Sequence, residues 1–362
     1  MTENRKIPPE KDILFRLSSG QFDFPPLTLR PVPVEPGREV DMIVQATWKG
    51  QQTTFAVECK ALSTPRALRD AVAQAKAYAQ REKLEPMIIV PFLSKERLDE
   101  LEREGISGID LSGNGIVVAP GKFSVYRTGA PNRFRTSAPI KNIYQKNSSI
   151  VGRVFLTRPR YEAVTEIRSE IQRRSGRVWP PISLATVSKA LKGLEDDLIV
   201  SRSDAGISLV QPDKLLDKLA ANFTRGKERP PFRAKVPADG PELFESLLRA
   251  ADELKIPIVA TGTGSVTQYA VMQRGPVVSV YCPEPETLLK RLDGTATDRF
   301  PNVEITEANE PFLYFDAREE RGFRWSSPVQ VYLELMAGDK RDRETAEQIR
   351  ELILKHVRRQ LE

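Results

Sequence analysis

Between residues 39 and 60 apolar and polar positions alternate, with Val40, Met42, Val44, Ala46 and Trp48 on one face and Asp41, Ile43, Gln45 and Thr47 on the other. Successive side chains of a strand point to opposite faces, so this period predicts two strands. The second shows Phe55, Val57 and Cys59 on its apolar face and Thr54, Ala56, Glu58 and Lys60 on the other. A two-residue Lys49-Gly50 turn would set Asp41 opposite Glu58, whereas a loop from Lys49 to Gln52 would set Asp41 opposite Lys60. In both registers Asp41, Glu58 and Lys60 share one face.

The period then lengthens. Helical spacing covers Pro65 to Glu82 and Lys95 to Glu104, and the second helix leads to the turn-like "DLSGNG" of residues 110 to 115 and two more strands. Residues 1–128 therefore read as an α/β domain. Residues 129–149, rich in Pro, Ser and Asn without an apolar period, read as a linker. Across 150–223 the pattern predicts a helix near Arg160 to Arg174, a Pro-broken turn at "VWPPIS", a helix from Leu184 to about Asp197 and a hairpin turning at Asp204-Ala205-Gly206.

In that second helix Leu184, Val187, Leu191, Leu194 and Leu198 are expected to face inward, and Ser183, Thr186, Lys189, Ala190 and Lys192 outward. "TRGKERPP", residues 224–231, reads as a second linker, and 232–362 as another α/β domain with strands near "PIVATG" and "PVVSVYC" and a last helix from about Arg343. Its "TGTGSVT", residues 261 to 267, lacks the GK[ST] ending of a phosphate-binding loop and is expected to be a tight turn between strand and helix.

Composition narrows the chemistry. No apolar run approaches the roughly 18 residues of a spanning helix, and "MTENRKIPPEKD" has no apolar signal-peptide centre, so a cytoplasmic protein without membrane contact is expected. Cys59 and Cys282 stand alone, and the single histidine, His356, lies in a charged helical stretch, which excludes zinc deaminases, two-histidine metalloproteases and cysteine-rich zinc sites. Hydrolytic chemistry would fall to carboxylates, lysine and a hard metal ion. The net charge of +6 is unevenly placed. Residues 130–180 carry Arg133, Arg135, Lys141, Lys146, Arg153, Arg158, Arg160, Arg168, Arg173, Arg174 and Arg177 against Glu162, Glu166 and Glu170, a balance expected to favour phosphate.

Two carboxylates facing one another across strands repel and lose hydration unless a cation lies between them. Mg²⁺ or Mn²⁺ suits such a pair, since Mg²⁺ takes one or two carboxylates plus waters and a phosphate oxygen, and a nearby ammonium can orient water or stabilise developing charge. The spacing from Asp41 to Glu58-Cys59-Lys60, with a helix before and a helix after, resembles the PD-(D/E)xK nucleases of the restriction-endonuclease-like fold. "QAKAY", Gln74 to Tyr78, is similar to the QxxxY of their RecB-type branch. The resemblance implies catalytic roles for Asp41, Glu58, Lys60, Gln74 and Tyr78, metal ligation by Asp41 and Glu58, and support from a first-helix glutamate, Glu10 or alternatively Glu3.

The helix, turn, helix, hairpin order of 150–223 is that of a winged helix. Its exposed Ser183, Thr186, Lys189 and Lys192, with Arg174 and with Arg202 on the wing, are the expected DNA contacts. The succession "SLATVSKALKGLEDDLIV", "PDKLLDKLAANF", "ATGTGSVTQYA", "VSVYC" and "SSPVQVYLELMAGDKRDRETAEQI" resembles the AbiEi-like antitoxins of type IV toxin-antitoxin systems. That likeness implies autoregulatory DNA binding and a C-terminal domain for partner contact. The expectation is a multidomain α/β protein acting on DNA as a Mg²⁺-dependent endonuclease in bacterial defence or restriction. The alternative is a transcriptional regulator or antitoxin with a degenerate nuclease fold. A partner protein on the C-terminal domain and a homodimer are left open.

Overall fold

The computed structural model describes residues 7–20, 24–33, 40–134, 142–175, 179–223, 230–271 and 277–362. The chain divides into two compact units, residues 1–140 and 141–362. Glu3, Arg135, Lys141 and Arg177 lie outside the described residues.

The first unit is one seven-stranded sheet with helices on both faces. In chain order its elements are α1 (Glu10–Ser18), β1 (Thr28–Val32), β2 (Met42–Trp48), β3 (Gln51–Cys59), α2 (Pro65–Glu82), β4 (Glu85–Val90), α3 (Lys95–Arg103), β5 (Ser107–Asp110), β6 (Gly115–Ala119) and β7 (Phe123–Arg127). Each strand neighbours the next, β1–β2–β3 and β5–β6–β7 running antiparallel and β3–β4–β5 parallel. Parallel neighbours need crossovers. The 18-residue α2, capped by the Thr64 side chain, and the shorter α3, capped by Ser94, supply them.

The two-residue turn is the one adopted. Trp48 pairs with Gln51, and Lys49 and Gly50 take φ of 45° and 80°, the positive values that a tight hairpin turn requires. One face of β2–β3, with Met42, Val44, Ala46, Phe55, Val57 and Cys59, packs on Ile13 and Leu17 of α1. The face expected to be polar is also covered, since Ile43 and Ala56 are buried with Tyr78 and Ala79 of α2. Covering both faces explains the near-continuous burial of Phe55 to Cys59 and makes Glu58 the anomaly within it.

"DLSGNG" closes the sheet by satisfying one carboxylate. Asp110, 1% exposed, accepts the N–H groups of Leu93, Ser112 and Asn114 and the Asn114 side-chain amide, while Asn114 also bonds both backbone groups of Ala130.

The second unit begins with α4 (Ser149–Phe155), β8 (Arg160–Tyr161), α5 (Val164–Ser175), α6 (Leu184–Asp196), β9 (Val200–Ser203), β10 (Gly206–Leu209) and α7 (Pro212–Asn222). β8, β10 and β9 form a small antiparallel sheet, with Asp204-Ala205 as the hairpin turn. There follow β11 (Phe232–Lys235), α8 (Gly240–Leu254), β12 (Val259–Ala260), β13 (Val278–Cys282), α9 (Pro285–Arg291), β14 (Thr295–Ala296), β15 (Val303–Glu307), α10 (Pro311–Tyr314), β16 (Arg318–Glu320), β17 (Phe323–Trp325), α11 (Pro328–Met336) and α12 (Lys340–Leu361). The second seven-stranded sheet runs β14-β11-β15-β13-β12-β17-β16.

One apolar core joins Val151, Val154, Leu191 and Leu216 to Val331, Tyr332, Ile349 and Leu354. Within it Arg153, 2% exposed, donates to Gln330 Oε1 at 2.8 Å and to the Phe312 carbonyl at 3.0 Å. Burial pulls this guanidinium down from its ordinary value, and the charge of Glu334 opposes the pull. Among the described residues no helix is long and apolar enough to cross a membrane.

Candidate active site and nucleic-acid surface

β3 ends where α1 begins and α2 follows, so the C-terminal end of β3 gathers side chains from distant parts of the sequence. Extending the register by one pair beyond Met42 and Val57 sets Asp41 opposite Glu58. Asp41, Glu10 and Glu58 lie near enough here for the first two to act electrostatically on the third, and each has one oxygen tied to a donor within the unit. Asp41 Oδ2 accepts the Cys59 N–H at 2.8 Å, Glu10 Oε1 accepts the Ala61 N–H at 3.3 Å, and Glu58 Oε1 accepts Lys60 Nζ at 2.6 Å. Among the described residues the second oxygen of each accepts no hydrogen bond.

Electrostatics follows from this crowding. Glu58 is 7% exposed, and burial, with the charges of Asp41 and Glu10, pushes its carboxyl above the usual range against the pull of Lys60. Burial also works against the Lys60 ammonium, but Glu58, Glu10 and Asp41 outweigh it and the net shift is upward, so this lysine stays charged. Burial pushes the Cys59 thiol far up, which leaves it inert at neutral pH.

Among the described residues no three Asp, Glu, His or Cys side chains stand close enough to make a ready metal cage. The donors present fit a different arrangement. Mg²⁺ keeps most of its waters and uses one or two carboxylates with a phosphate oxygen. Asp41 and Glu58 offer hard oxygen atoms, and the Cys59 N–H fixes the Asp41 carboxylate much as outer-shell partners orient metal ligands. That backbone donor and the Ala61 N–H escaped the sequence reading, since neither shows in residue types. The register alone could have pointed to the first.

Tyr78 and Gln74 part company. Tyr78 is 5% exposed, its ring packed among Val40, Ile43 and Ala56 and beneath the Arg81 guanidinium at 5.0 Å. Gln74 is exposed one turn earlier on α2, and among the described residues no hydrogen bond joins it to Asp41, Glu58 or Lys60.

In the second unit most of the basic stretch is spent internally. Arg158 pairs with Glu166 at 2.5 Å, and Arg173 and Arg174 both pair with Glu170 at 2.6 Å. Arg160 donates to the Leu361 carbonyl, Arg168 to that of Ile182, and Arg153 is buried. Arg174, expected among the DNA contacts, also holds Asp316 and is thus committed inside the unit.

The surface that remains is α6. The Ser183 hydroxyl caps the helix by accepting the Thr186 N–H at 3.1 Å, and Lys189 and Lys192 are exposed with no ion-pair partner among the described residues. Arg202 reaches from β9 to Glu195 at 3.0 Å. Two helix positions exchange places relative to the expected pattern: Ala190 is buried at 2%, and Leu184 is 42% exposed. Leu184 is the first residue of α6, ahead of the turns that Val187, Leu191 and Leu194 bury.

The "TGTGSVT" turn does hold an anion, and the anion is its own. Gly262 N–H and Thr263 N–H donate to Glu334 Oε1 and Oε2 at 2.9 and 3.1 Å, and Tyr281 and Gln330 also donate to Oε1. The expected strand-to-helix turn is a short 3-10 segment, Thr263–Gln268.

Comparison with protein-family models, curated proteins and solved structures finds no match.

Proposed function

We propose that the first unit is a divalent-metal-dependent endonuclease of the PD-(D/E)xK type and that α4 to β10 form a winged helix that holds it on DNA, in a setting of bacterial defence or restriction. The observation that carries this reading is the convergence of Asp41, Glu58, Glu10 and Lys60 at one strand end, with one oxygen of each carboxylate tied and the other without a hydrogen bond among the described residues. A structural ion pair needs one acid for one base, not two further acids beside a buried glutamate.

Bound there, Mg²⁺ or Mn²⁺ would polarise the scissile phosphate and lower the pKa of a coordinated water. The protein's own residues do the rest. Cys59 and Ala61 hold the carboxylates of Asp41 and Glu10 in place, Glu58 presents a desolvated oxygen, and the charged Lys60 stabilises the negative charge that grows on the phosphate as water adds.

The 2.6 Å bond between Lys60 and Glu58 also suits a second reading, a DNA-binding regulator or antitoxin in which lysine has replaced the cation for good. Incubation with supercoiled plasmid in Mg²⁺, Mn²⁺ or EDTA separates the two. The nuclease reading expects nicking that needs metal and that Glu58→Ala and Lys60→Ala abolish while DNA affinity stays within about threefold, since these groups serve the transition state. A wild type inert with every metal gives way to the regulator.

A further inference from the structure

We propose that Leu184 reads thymine, its side chain packing on the 5-methyl group in the major groove of duplex DNA. The inference rests on the reading of α6 as the DNA-facing helix and names what that helix recognises. Leu184 is 42% exposed at the first position of α6, where residues of a groove-entering helix come closest to base edges. At 42% exposure Leu184 leaves part of its apolar surface in water, and the inward side of α6 is already filled by Val187, Ala190, Leu191 and Leu194.

The neighbours define the partner. From Ser183 to Lys192 there is no acidic residue, and the exposed positions Ala185, Ser188, Lys189 and Lys192 combine small side chains with positive charge. Small residues let the helix approach closely, the two lysines meet phosphate, and Leu184 and Ser188, one turn apart, share a face. A protein partner for an exposed leucine would not require this acid-free surround, whereas a polyanion does. In the major groove only the A·T pair offers a methyl group, so an aliphatic side chain there discriminates by apolar contact.

The test uses the full chain and two 30-base-pair duplexes of alternating adenine and thymine, one with every thymine replaced by uracil, which removes only the methyl groups. Binding is measured by fluorescence anisotropy in EDTA. Burying one methyl corresponds to about a fourfold difference in affinity. The wild type is expected to prefer the thymine duplex by at least that factor, and Leu184→Ala, a change at an exposed position that leaves the fold intact, to bind both duplexes equally.

A wild type indifferent to the methyl group, or a Leu184→Ala variant that keeps the preference, overturns the inference while leaving DNA binding itself in place. Failure to bind either duplex overturns the DNA reading of this unit along with it. Sedimentation of the same variant guards against the other source of an exposed leucine: a change of oligomeric state assigns Leu184 to an interface between copies and sinks the proposal.

Discussion

Across the strand end the backbone N–H of Cys59, one residue beyond Glu58, donates to Asp41 Oδ2 at 2.8 Å. An asparagine can accept that bond through its amide oxygen and carries no charge to repel Glu58. Asp41→Asn is therefore expected to keep or raise the melting temperature without metal, and to lose any stabilisation by Mg²⁺ or Mn²⁺. Asp41→Ala removes the acceptor and should cost about 1 kcal/mol. Thermal melts of both variants with metal and with EDTA distinguish the roles. An Asp41→Asn variant clearly less stable than wild type would mean that the charge itself holds the fold.

Glu58 gives a pH signature. Its folded pKa is raised, burial being the largest cause, so folding takes up protons and its contribution to stability is present below the unfolded value and lost as pH rises through the folded one. In EDTA, Glu58→Gln should flatten the stability curve between pH 4.5 and neutrality and raise the melting point at neutral pH. Melts of wild type and variant at intervals of half a pH unit check this, and parallel curves would contradict it.

The hairpin at residues 39–60 could be read because alternation and a Lys-Gly turn are local properties, and the helix from Pro65 to Glu82 begins and ends where its spacing does. What escaped depends on contacts between distant segments. Covering both faces of β2 and β3 turned Ile43 inward, a result of α2 folding back that alternation cannot foretell. The basic stretch of 130–180 misled for a related reason. Charge along the chain says nothing of partners brought near by folding, and Asp316, 142 residues from Arg174, is one such partner.

In the second unit Glu334, 1% exposed, ties α11 to the second sheet by accepting hydrogen bonds from Gly262, Thr263 and Tyr281, with a fourth from Gln330. Glu334→Ala strands those donors and removes the carboxylate charge that acts on the buried Arg153, a loss of about 3 to 5 kcal/mol. Gly262→Ala acts from the other side. A Cβ there would stand 2.5 Å from Glu334 Cδ and 2.9 Å from the Gln330 carbonyl, an overpacking worth about 1 to 3 kcal/mol. Urea titrations of both variants should show lowered midpoints, and a Glu334→Ala midpoint equal to that of wild type would refute the anion role of this carboxylate.

Arg174 and the α6 lysines should behave in opposite ways. Glu170 is held down to about 2, chiefly by its hydrogen bond to Arg173 and then by Arg174, so its contribution to stability is present above the ordinary carboxylate value of 4.5 and lost as pH falls toward 2. Arg174→Ala removes one of these partners and also strips Asp316, which is 7% exposed, of its hydrogen bond, so this variant should melt earlier at neutral pH yet bind DNA with an unchanged salt slope. Lys189→Ala with Lys192→Ala touches no ion pair and should leave stability within about 0.5 kcal/mol. If both lysines meet phosphate, the slope of log affinity against log salt should become shallower by about 1.8, at about 0.9 for each contact. Anisotropy titrations from low to moderate salt measure that slope directly. A double variant with the wild-type slope would remove α6 from the DNA surface, and a shallower slope for Arg174→Ala would show that its internal pairs open when DNA arrives.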